Sequence, residues 1–313
     1  MKRIVIILLY LAAACISLQA QPIQPSGDYL FAQKDGVELF LSVYDPAEGS
    51  ATTLDGKAKP CILFVFGGGF IMGERNADGY LPWFKRLTDD GYRVITIDYR
   101  LGLKGKGSIG VKDVAVIYNA VETGVEDLYS ATAFIAGNAE ALGVDPSNIV
   151  IAGSSAGAMI VLQAEWHLCN KTALTSILPE NFRYAGVMSF SGAIFSREGK
   201  IRYAREPAPA LLFHGTADKI VTYKQLWFFR NRMAGSSTLA GIFNKNGYNY
   251  NIFRYEGNQH EIASAFLPTY DKQISFLEAN VIRGEKKIVD ATVNDPSIKI
   301  WKINSVKQIY KGN

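Results

Sequence analysis

Gly153-Ser154-Ser155-Ala156-Gly157 is the stretch that decides the fold, because it stands where a strand should break into a helix. The apolar run before it, Ile149-Val150-Ile151-Ala152, is typical of a buried strand, and the apolar residues after it follow helical spacing. A Cβ at either glycine would obstruct so tight a turn. The pattern predicts that Ser155 projects its hydroxyl into a cleft as a nucleophile. The alternative is a chance match of small residues at a helix start.

The segments around this motif alternate between strand-like and helix-like patterns. Strands are expected near 28–33, 37–44, 61–66, 92–97, 148–152, 184–190, 209–214 and 248–255. Helices are expected near 78–90, 125–142, 155–168, 222–234 and 261–281. This order predicts an α/β fold, with a doubly wound, mainly parallel sheet flanked by helices and antiparallel strands at its N-terminal edge. Ligands of such sheets bind at the carboxyl ends of the strands.

The chain has three histidines, so a general base can be chosen by elimination. His260 lies on a loop between a strand-like and a helix-like segment, and we expect it to be the base. The alternative is a solvated loop histidine. His214 ends a buried strand and is expected to brace the following turn, and His167, on a helix, is expected to have no chemical role.

Asp218 lies on the turn that follows the strand of His214. A carboxylate there can accept the Nδ1 proton of His260, fix its tautomer and stabilise the imidazolium that forms when Ser155 attacks. The alternative is a turn or N-cap aspartate before the helix expected at 222–234.

A glycine-rich loop follows the apolar run at 61–66 and reads Gly67-Gly68-Gly69-Phe70. Consecutive glycines let backbone amides turn towards a cleft without obstruction by side chains. We expect the N–H groups of Gly68, Gly69 and Ala156 to form an oxyanion hole. The alternative is a flexible glycine turn.

With these motifs in order, the chain resembles the carboxylesterase and lipase branch of the α/β-hydrolases over roughly residues 28–282. The resemblance also includes Asp98-Tyr99-Arg100-Leu101 and Gln259-His260-Glu261, and residues 126–157 look like bacterial carboxylesterases. It implies a hydrolase with a serine, carboxylate and histidine in that chain order. Phe66 departs from the family pattern, which often has histidine there, and this puts the geometry of the glycine loop in question.

The N-terminus has the pattern of a secretory signal peptide at residues 1–20. Lys2 and Arg3 precede an apolar stretch at 4–16, and Ala20 precedes the expected cleavage point. The apolar stretch is too short for a membrane span. The expected location is secreted or periplasmic, with lipid anchoring through Cys15 as the minor alternative.

Composition and motifs argue against several classes of binding partner. Removing Lys2 and Arg3 lowers the formal net charge of +4 by two, and so small an excess argues against nucleic acid as a partner. No metal-ligand cluster or phosphate-binding loop is visible, so neither a metal nor a cofactor is expected. After cleavage only Cys61 and Cys169 remain, and their pairing stays open. The sequence carries no sign of an oligomeric state.

Residues 21–283 are expected to form one catalytic domain, and 284–313 a C-terminal tail without an assigned role. The stretch Ile298-Lys299-Ile300-Trp301 in this tail looks strand-like, and residues 169–183 are the candidate for a small cap over the cleft.

The predicted function is that of a secreted serine carboxylesterase acting on short acyl or aromatic esters. Esters on plant carbohydrates are candidate substrates, because similar secreted bacterial esterases often act there. A serine peptidase of the same fold and a catalytically inactive binding module are the alternatives.

Overall fold

A computed structural model describes residues 23–106 and 114–301, so the predicted signal peptide lies outside the described residues. Its strands, in chain order, are β1 (Gly27–Lys34), β2 (Val37–Tyr44), β3 (Cys61–Val65), β4 (Val94–Ile97), β5 (Ile149–Ser154), β6 (Gly186–Phe190), β7 (Ala193–Ser196), β8 (Ala210–Gly215), β9 (Gln225–Phe228), β10 (Asn231–Gly235), β11 (Tyr250–Tyr255) and β12 (Val289–Val293). The α-helices are α1 (Leu81–Asp89), α2 (Val114–Gly137), α3 (Ala156–Asn170), α4 (Ser236–Asn246) and α5 (Tyr270–Phe276).

Nine of these strands form one sheet in the order β1-β2-β4-β3-β5-β6-β8-β11-β12. Strand β2 pairs antiparallel with both β1 and β4, whereas the six other strand pairs of this sheet are parallel. The predicted α/β fold with antiparallel strands at the N-terminal edge is therefore confirmed. The central strands β3, β5, β6 and β8 are buried along their whole length, as expected for parallel strands covered on both faces.

The helices cover this sheet through large apolar side chains. Trp83 of α1 packs edge-on against Phe64 of β3 and stacks on Phe266, and all three rings are almost fully buried. Helices α2 and α3 approach closely because Gly124 leaves room for Ile160, whose Cδ1 would lie 2.4 Å from an added Cβ. Helix α3 is buried on nearly all sides, so it fixes the position of the turn that precedes it.

The predicted helix at 222–234 is wrong, because these residues form the hairpin of β9 and β10. Strand β10 also pairs with β7, so this second, three-stranded sheet is held by contacts from outside the segment. Local patterns cannot reveal such a partner.

The predicted helix at 261–281 is interrupted, and α2 differs in its limits. A 3₁₀ turn at His260–Ser264, helix α5 and a π-helical turn at Leu277–Ile282 replace the single helix. Pro268 lies between the first two elements, where it removes a backbone donor. Helix α2 begins before the expected 125 and ends before the expected 142.

Part of the predicted tail belongs to the main sheet. Strand β12 pairs parallel with β11, so residues beyond 283 form the last strand. The strand-like stretch at 298–301 is not a strand; there the backbone N–H of Trp301 reaches the Oε2 of Glu261 at 3.3 Å.

Residues 169–183 do not cap the cleft, and that expectation is wrong. They follow the C-terminal end of α3 and lead into β6, whose first pairing partner is near the amino end of β5. A 3₁₀ turn at Ala173–Ile177 occupies this connection. The segment therefore lies at the amino ends of the strands, whereas the turn of Ser155 lies at their carboxyl ends.

Cys61 and Cys169 are both buried and free, which answers the question of their pairing. Burial raises the pKa of the Cys61 thiol to about 12, so this thiol is not a nucleophile at neutral pH. In the two described ranges no helix is both long and apolar enough to cross a membrane.

Candidate active site

The turn between β5 and α3 is strained at Ser155. This residue has φ 51° and ψ −113°, a conformation that residues with a side chain rarely adopt. A Cβ on Gly153 would lie 2.3 Å from the carbonyl oxygen of Gly157, and a Cβ on Gly157 would lie 2.0 Å from that of Val65. Both glycines are therefore required for the close approach of strand, helix and neighbouring strand.

The hydroxyl of Ser155 meets His260, as the sequence predicted. The Oγ of Ser155 lies 2.7 Å from the Nε2 of His260, and the Nδ1 of His260 lies 2.8 Å from the Oδ2 of Asp218. A carboxylate can only accept, so Nδ1 carries the proton and Nε2 is left to accept the proton of the serine. This tautomer is the one that a general base at Ser155 needs.

Glu261 stabilises the loop that carries His260. Its Oε1 accepts hydrogen bonds from the Nδ2 of Asn258 at 2.9 Å and from the backbone N–H of Gln259 at 2.8 Å. These bonds fix the chain on the N-terminal side of His260, between β11 and the 3₁₀ turn. This role was not predicted from the sequence, although the carboxylate next to the histidine was an available signal.

The side chain of Asp218 is fully buried, and its two oxygens have different partners. Oδ1 accepts the backbone N–H groups of Ile220 at 2.8 Å and Val221 at 3.1 Å, whereas Oδ2 faces His260. Burial raises the pKa of this carboxyl, but hydrogen bonds from His214 and His260 outweigh burial and hold the pKa well below its ordinary value of 3.8. The alternative of an N-cap is wrong, because no helix begins at 222, although Oδ1 does stabilise the turn.

His214 braces the turn of Asp218, as predicted, and also contacts the carboxylate itself. Its Nε2 lies 3.1 Å from the carbonyl oxygen of Val221 and 3.3 Å from the Oδ2 of Asp218. Both atoms are acceptors, so Nε2 carries a proton that they share. The Nδ1 of His214 lies 2.8 Å from the hydroxyl of Ser236, and the whole side chain is buried. The contact with Asp218 was not predicted from the sequence.

The glycine loop lies directly beside Ser155. A Cβ on Gly67 would lie 3.3 Å from the Cβ of Ser155. Gly68 (φ +126°) and Gly69 (φ +64°) both adopt positive φ, and a Cβ on Gly68 would lie 1.9 Å from the carbonyl oxygen of Met72. Ala156 is the first residue of α3, so its N–H has no acceptor within the helix. The glycine loop therefore reaches the serine turn, and Ala156 follows Ser155 directly in the chain.

Two tyrosines support this loop, in which Phe66 stands where the family pattern often has histidine. The ring of Phe66 lies 4.4 Å from that of Tyr99, whose hydroxyl donates to the carbonyl oxygen of Phe66 at 3.2 Å. The hydroxyl of Tyr80 accepts the backbone N–H of Gly67 at 3.1 Å. The loop is therefore held through Phe66 and the two tyrosines, and it reaches Ser155.

His167 contacts none of these groups. Its ring nitrogens lie 2.9 Å from the Oε1 of Glu122 and 2.7 Å from the hydroxyl of Thr172, near the far end of α3. Over residues 23–106 and 114–301, no group of three His, Cys, Asp or Glu side chains is placed to hold a metal ion.

Curated relatives match part of this chain. It is 38% identical over 104 residues to gut esterase 1 of Caenorhabditis elegans and 34% identical over 152 residues to esterase E4 of Myzus persicae. These alignments cover 33% and 48% of this chain but only 18% and 24% of the two relatives. The chain therefore matches about a fifth of the length of these relatives.

The solved structure of apo esterase 2 from Thermogutta terrifontis superposes on this chain with a TM-score of 0.59 at 22% identity. The match covers 82% of this chain and 95% of that one, and at this identity it supports the fold alone. A sequence model described as phospholipase/carboxylesterase matches residues 119–277, and that of the carboxylesterase family matches residues 13–172, about half of the chain. The carboxylesterase match spans the glycine loop, the serine turn and α3, and this protein belongs to the carboxylesterase family.

Proposed function

We propose that this protein is a serine carboxylesterase that hydrolyses short acyl or aromatic esters. The observation that carries the proposal is the hydrogen-bonded series from Ser155 through His260 to Asp218, with links of 2.7 and 2.8 Å, on a strained turn. A serine on its own is a weak nucleophile, and an adjacent base with an oriented tautomer activates it.

Each group has one task in the proposed reaction. The Oγ of Ser155 attacks the ester carbonyl while His260 takes its proton at Nε2. The N–H groups of Gly68, Gly69 and Ala156 stabilise the oxyanion. His260 then gives the proton to the leaving alcohol, and the acyl group stays on Ser155. Water, activated by His260, releases the acid and restores the serine, while Asp218 stays ionised.

Labelling with a fluorophosphonate probe tests the nucleophile. The purified protein should bind one probe, and peptide mass mapping should place it on Ser155. Ser155→Ala should abolish labelling and the hydrolysis of p-nitrophenyl acetate, with a loss in kcat on the order of 10⁶. Ser147→Ala, which removes an exposed hydroxyl bonded to Asp145, is the matched control and should keep both. Labelling at another residue would remove the basis of the proposal.

Esters carried on plant carbohydrates are part of the proposed substrate range, and this part rests on the resemblance to secreted esterases. We expect kcat/KM to be higher for p-nitrophenyl acetate and acetylated or feruloylated oligosaccharides than for aminoacyl anilides, because an alkoxide leaves more readily than an amine. A preference for the anilides would identify a peptidase of the same fold, and no turnover of any substrate would favour an inactive binding module.

Secretion is also a proposal, and it rests on the pattern of the first twenty residues. N-terminal sequencing of protein expressed from the full chain in a bacterial host should begin at Gln21. A mature form that begins with a lipid-modified Cys15 would replace this cleavage site with a lipoprotein anchor.

A further inference from the structure

The hairpin of β9 and β10 places three large apolar side chains in solvent. The exposed fractions are 45% for Leu226, 53% for Trp227 and 102% for Phe229. Phe228 pairs with Asn231, so Phe229 and Arg230 form a two-residue turn. A side chain as exposed as Phe229 packs against nothing in its own protein, so folding does not explain its presence.

The backbone conformation at the tip of the hairpin does not explain the presence of Phe229 either. Phe229 has φ 55°, in the left-handed region that two-residue hairpin turns require and that glycine, asparagine and aspartate adopt most readily. A bulky residue in this conformation is a genuine outlier. Arg230 does not share the positive φ, so this is a type II′ turn, and Gly-Asn would form it with less strain. The aromatic ring is therefore kept at a cost to local stability. Such outliers point to a function at the site.

The surroundings of the tip are basic. Residues 193–200 and 224–235, which contain the three strands of this smaller sheet and their adjoining residues, hold five basic side chains and one acidic, Glu198. The basic residues are Arg197, Lys200, Lys224, Arg230 and Arg232. The Arg232 guanidinium lies 5.0 Å from the centre of the Trp227 ring and bonds to the Oε1 of Gln225, so it fixes this ring beside the charge. The partner of this surface should be anionic and apolar at once.

The base of the hairpin lies at the carboxyl ends of the main-sheet strands, as does the turn of Ser155. Strand β7 begins three residues after Phe190, whose carbonyl oxygen accepts the N–H of Ser155 at 2.9 Å. Strand β10 ends next to Ser236, whose hydroxyl contacts His214. The base of the hairpin is therefore joined to the elements that carry the candidate active site, and the tip lies at the opposite end of β9 and β10.

We propose that this hairpin docks the protein on an anionic lipid surface, with Leu226, Trp227 and Phe229 entering the interface and the basic side chains facing the headgroups. Aromatic and basic residues together are typical of such contacts. An acidic polysaccharide needs ring faces and fixed side chains for stacking, whereas Leu226 has no ring and Phe229 is fully exposed. A fluid apolar layer needs neither.

Vesicle co-sedimentation tests the proposal, in the Ser155→Ala background so that no lipid ester is cleaved. We expect binding to phosphatidylcholine vesicles that contain phosphatidylglycerol, weaker binding to phosphatidylcholine alone, and a decrease with added salt. The decisive variant is Phe229→Gly with Arg230→Asn, which places glycine at the position of positive φ, as this type II′ turn prefers. It should fold with an unchanged or higher Tm and lose at least about tenfold in vesicle binding.

Leu54→Asn is the matched control, because Leu54 is also fully exposed but lies outside the hairpin. It should bind vesicles like the parent. Failure of the parent to bind anionic vesicles, or equal binding by the hairpin variant, would overturn the proposal. Retardation on a polygalacturonate gel that depends on Phe229, without vesicle binding, would also overturn it in favour of a polysaccharide surface. Vesicle binding does not involve Ser155, so these outcomes are independent of the esterase proposal.

Discussion

The Nε2 of His214 lies 3.3 Å from the Oδ2 of Asp218, the same carboxylate oxygen that accepts a hydrogen bond from His260. Asp218 thus stands between two histidines, one buried beneath it and one directed at Ser155. With the two backbone N–H groups on Oδ1, it has donors on both oxygens. A carboxylate held in this way can neither rotate nor take up a proton easily, so its orientation towards His260 is fixed before substrate binds.

His214→Leu, which removes the donor, should lower kcat by roughly 10-fold to 100-fold with little change in KM, because a hydrogen bond to a charged group contributes about 1.5–3 kcal/mol. The loss of a donor also leaves more negative charge on Asp218, so the acid limb of the profile of kcat/KM against pH should move to higher pH. His167→Leu is the control, since His167 is also buried but contacts Glu122 and Thr172. Equal effects of the two substitutions on kcat would mean that His214 acts only through general stability.

The serine turn should tolerate no side chain at Gly157. Gly157→Ala places a Cβ 2.0 Å from the carbonyl oxygen of Val65, a backbone atom in the centre of the sheet, and should lower the free energy of unfolding by about 3 kcal/mol or more. Gly241→Ala is the matched control. A Cβ there meets no atom within 4 Å in the exposed middle of α4, so stability should rise by about 0.5–1 kcal/mol. Urea unfolding curves of the two variants check both signs.

Much of the site could be predicted from sequence because its geometry depends on local chemistry. The turn at Ser155 and the loop at Gly68 need glycines at fixed places, and the positions of Asp218 and His260 follow from strand ends. The hairpin of β9 and β10 could not be predicted, since its strands depend on pairing with β7. The second histidine on Asp218 was missed for a related reason. His214 was recognised as a brace, but its contact with the carboxylate depends on the path of the turn between them.

Tyr80→Phe should weaken the proposed oxyanion hole without disturbing the serine. The substitution keeps the ring and removes the acceptor for the N–H of Gly67, which lies next to Gly68. We expect kcat for p-nitrophenyl acetate to fall about tenfold, within the range for a buried donor left without a partner. Tyr129→Phe removes a buried hydroxyl that donates to the carbonyl oxygen of Ala164. This control should lower stability but not kcat, and a similar loss of kcat in both variants would exclude a specific role for Tyr80.

Asp218→Asn should keep the shape of the site but favour the wrong tautomer of His260. The amide nitrogen of asparagine can donate where the carboxylate only accepted, so Nδ1 becomes an acceptor. Nε2 then already carries a proton and cannot accept the proton of Ser155. We expect kcat to fall by roughly 10⁴. Retention of most activity, with another carboxylate proving essential, would show that the assignment of Asp218 is wrong.

The same substitution should change how stability responds to acid. The pKa of Asp218 is lower in the folded protein than its ordinary value of 3.8, so below that value the unfolded chain binds a proton that the folded chain does not. Stability that is fully present above the ordinary value should therefore be lost as the pH falls towards the lower folded value. Asp218→Asn removes this contribution, so its free energy of unfolding should fall less steeply than that of the parent below about pH 4.

Urea unfolding at a series of acid pH values measures the slopes, with the exposed Asp78→Asn as control. Identical slopes for the parent and Asp218→Asn would mean that the two histidines do not stabilise the ionised carboxylate.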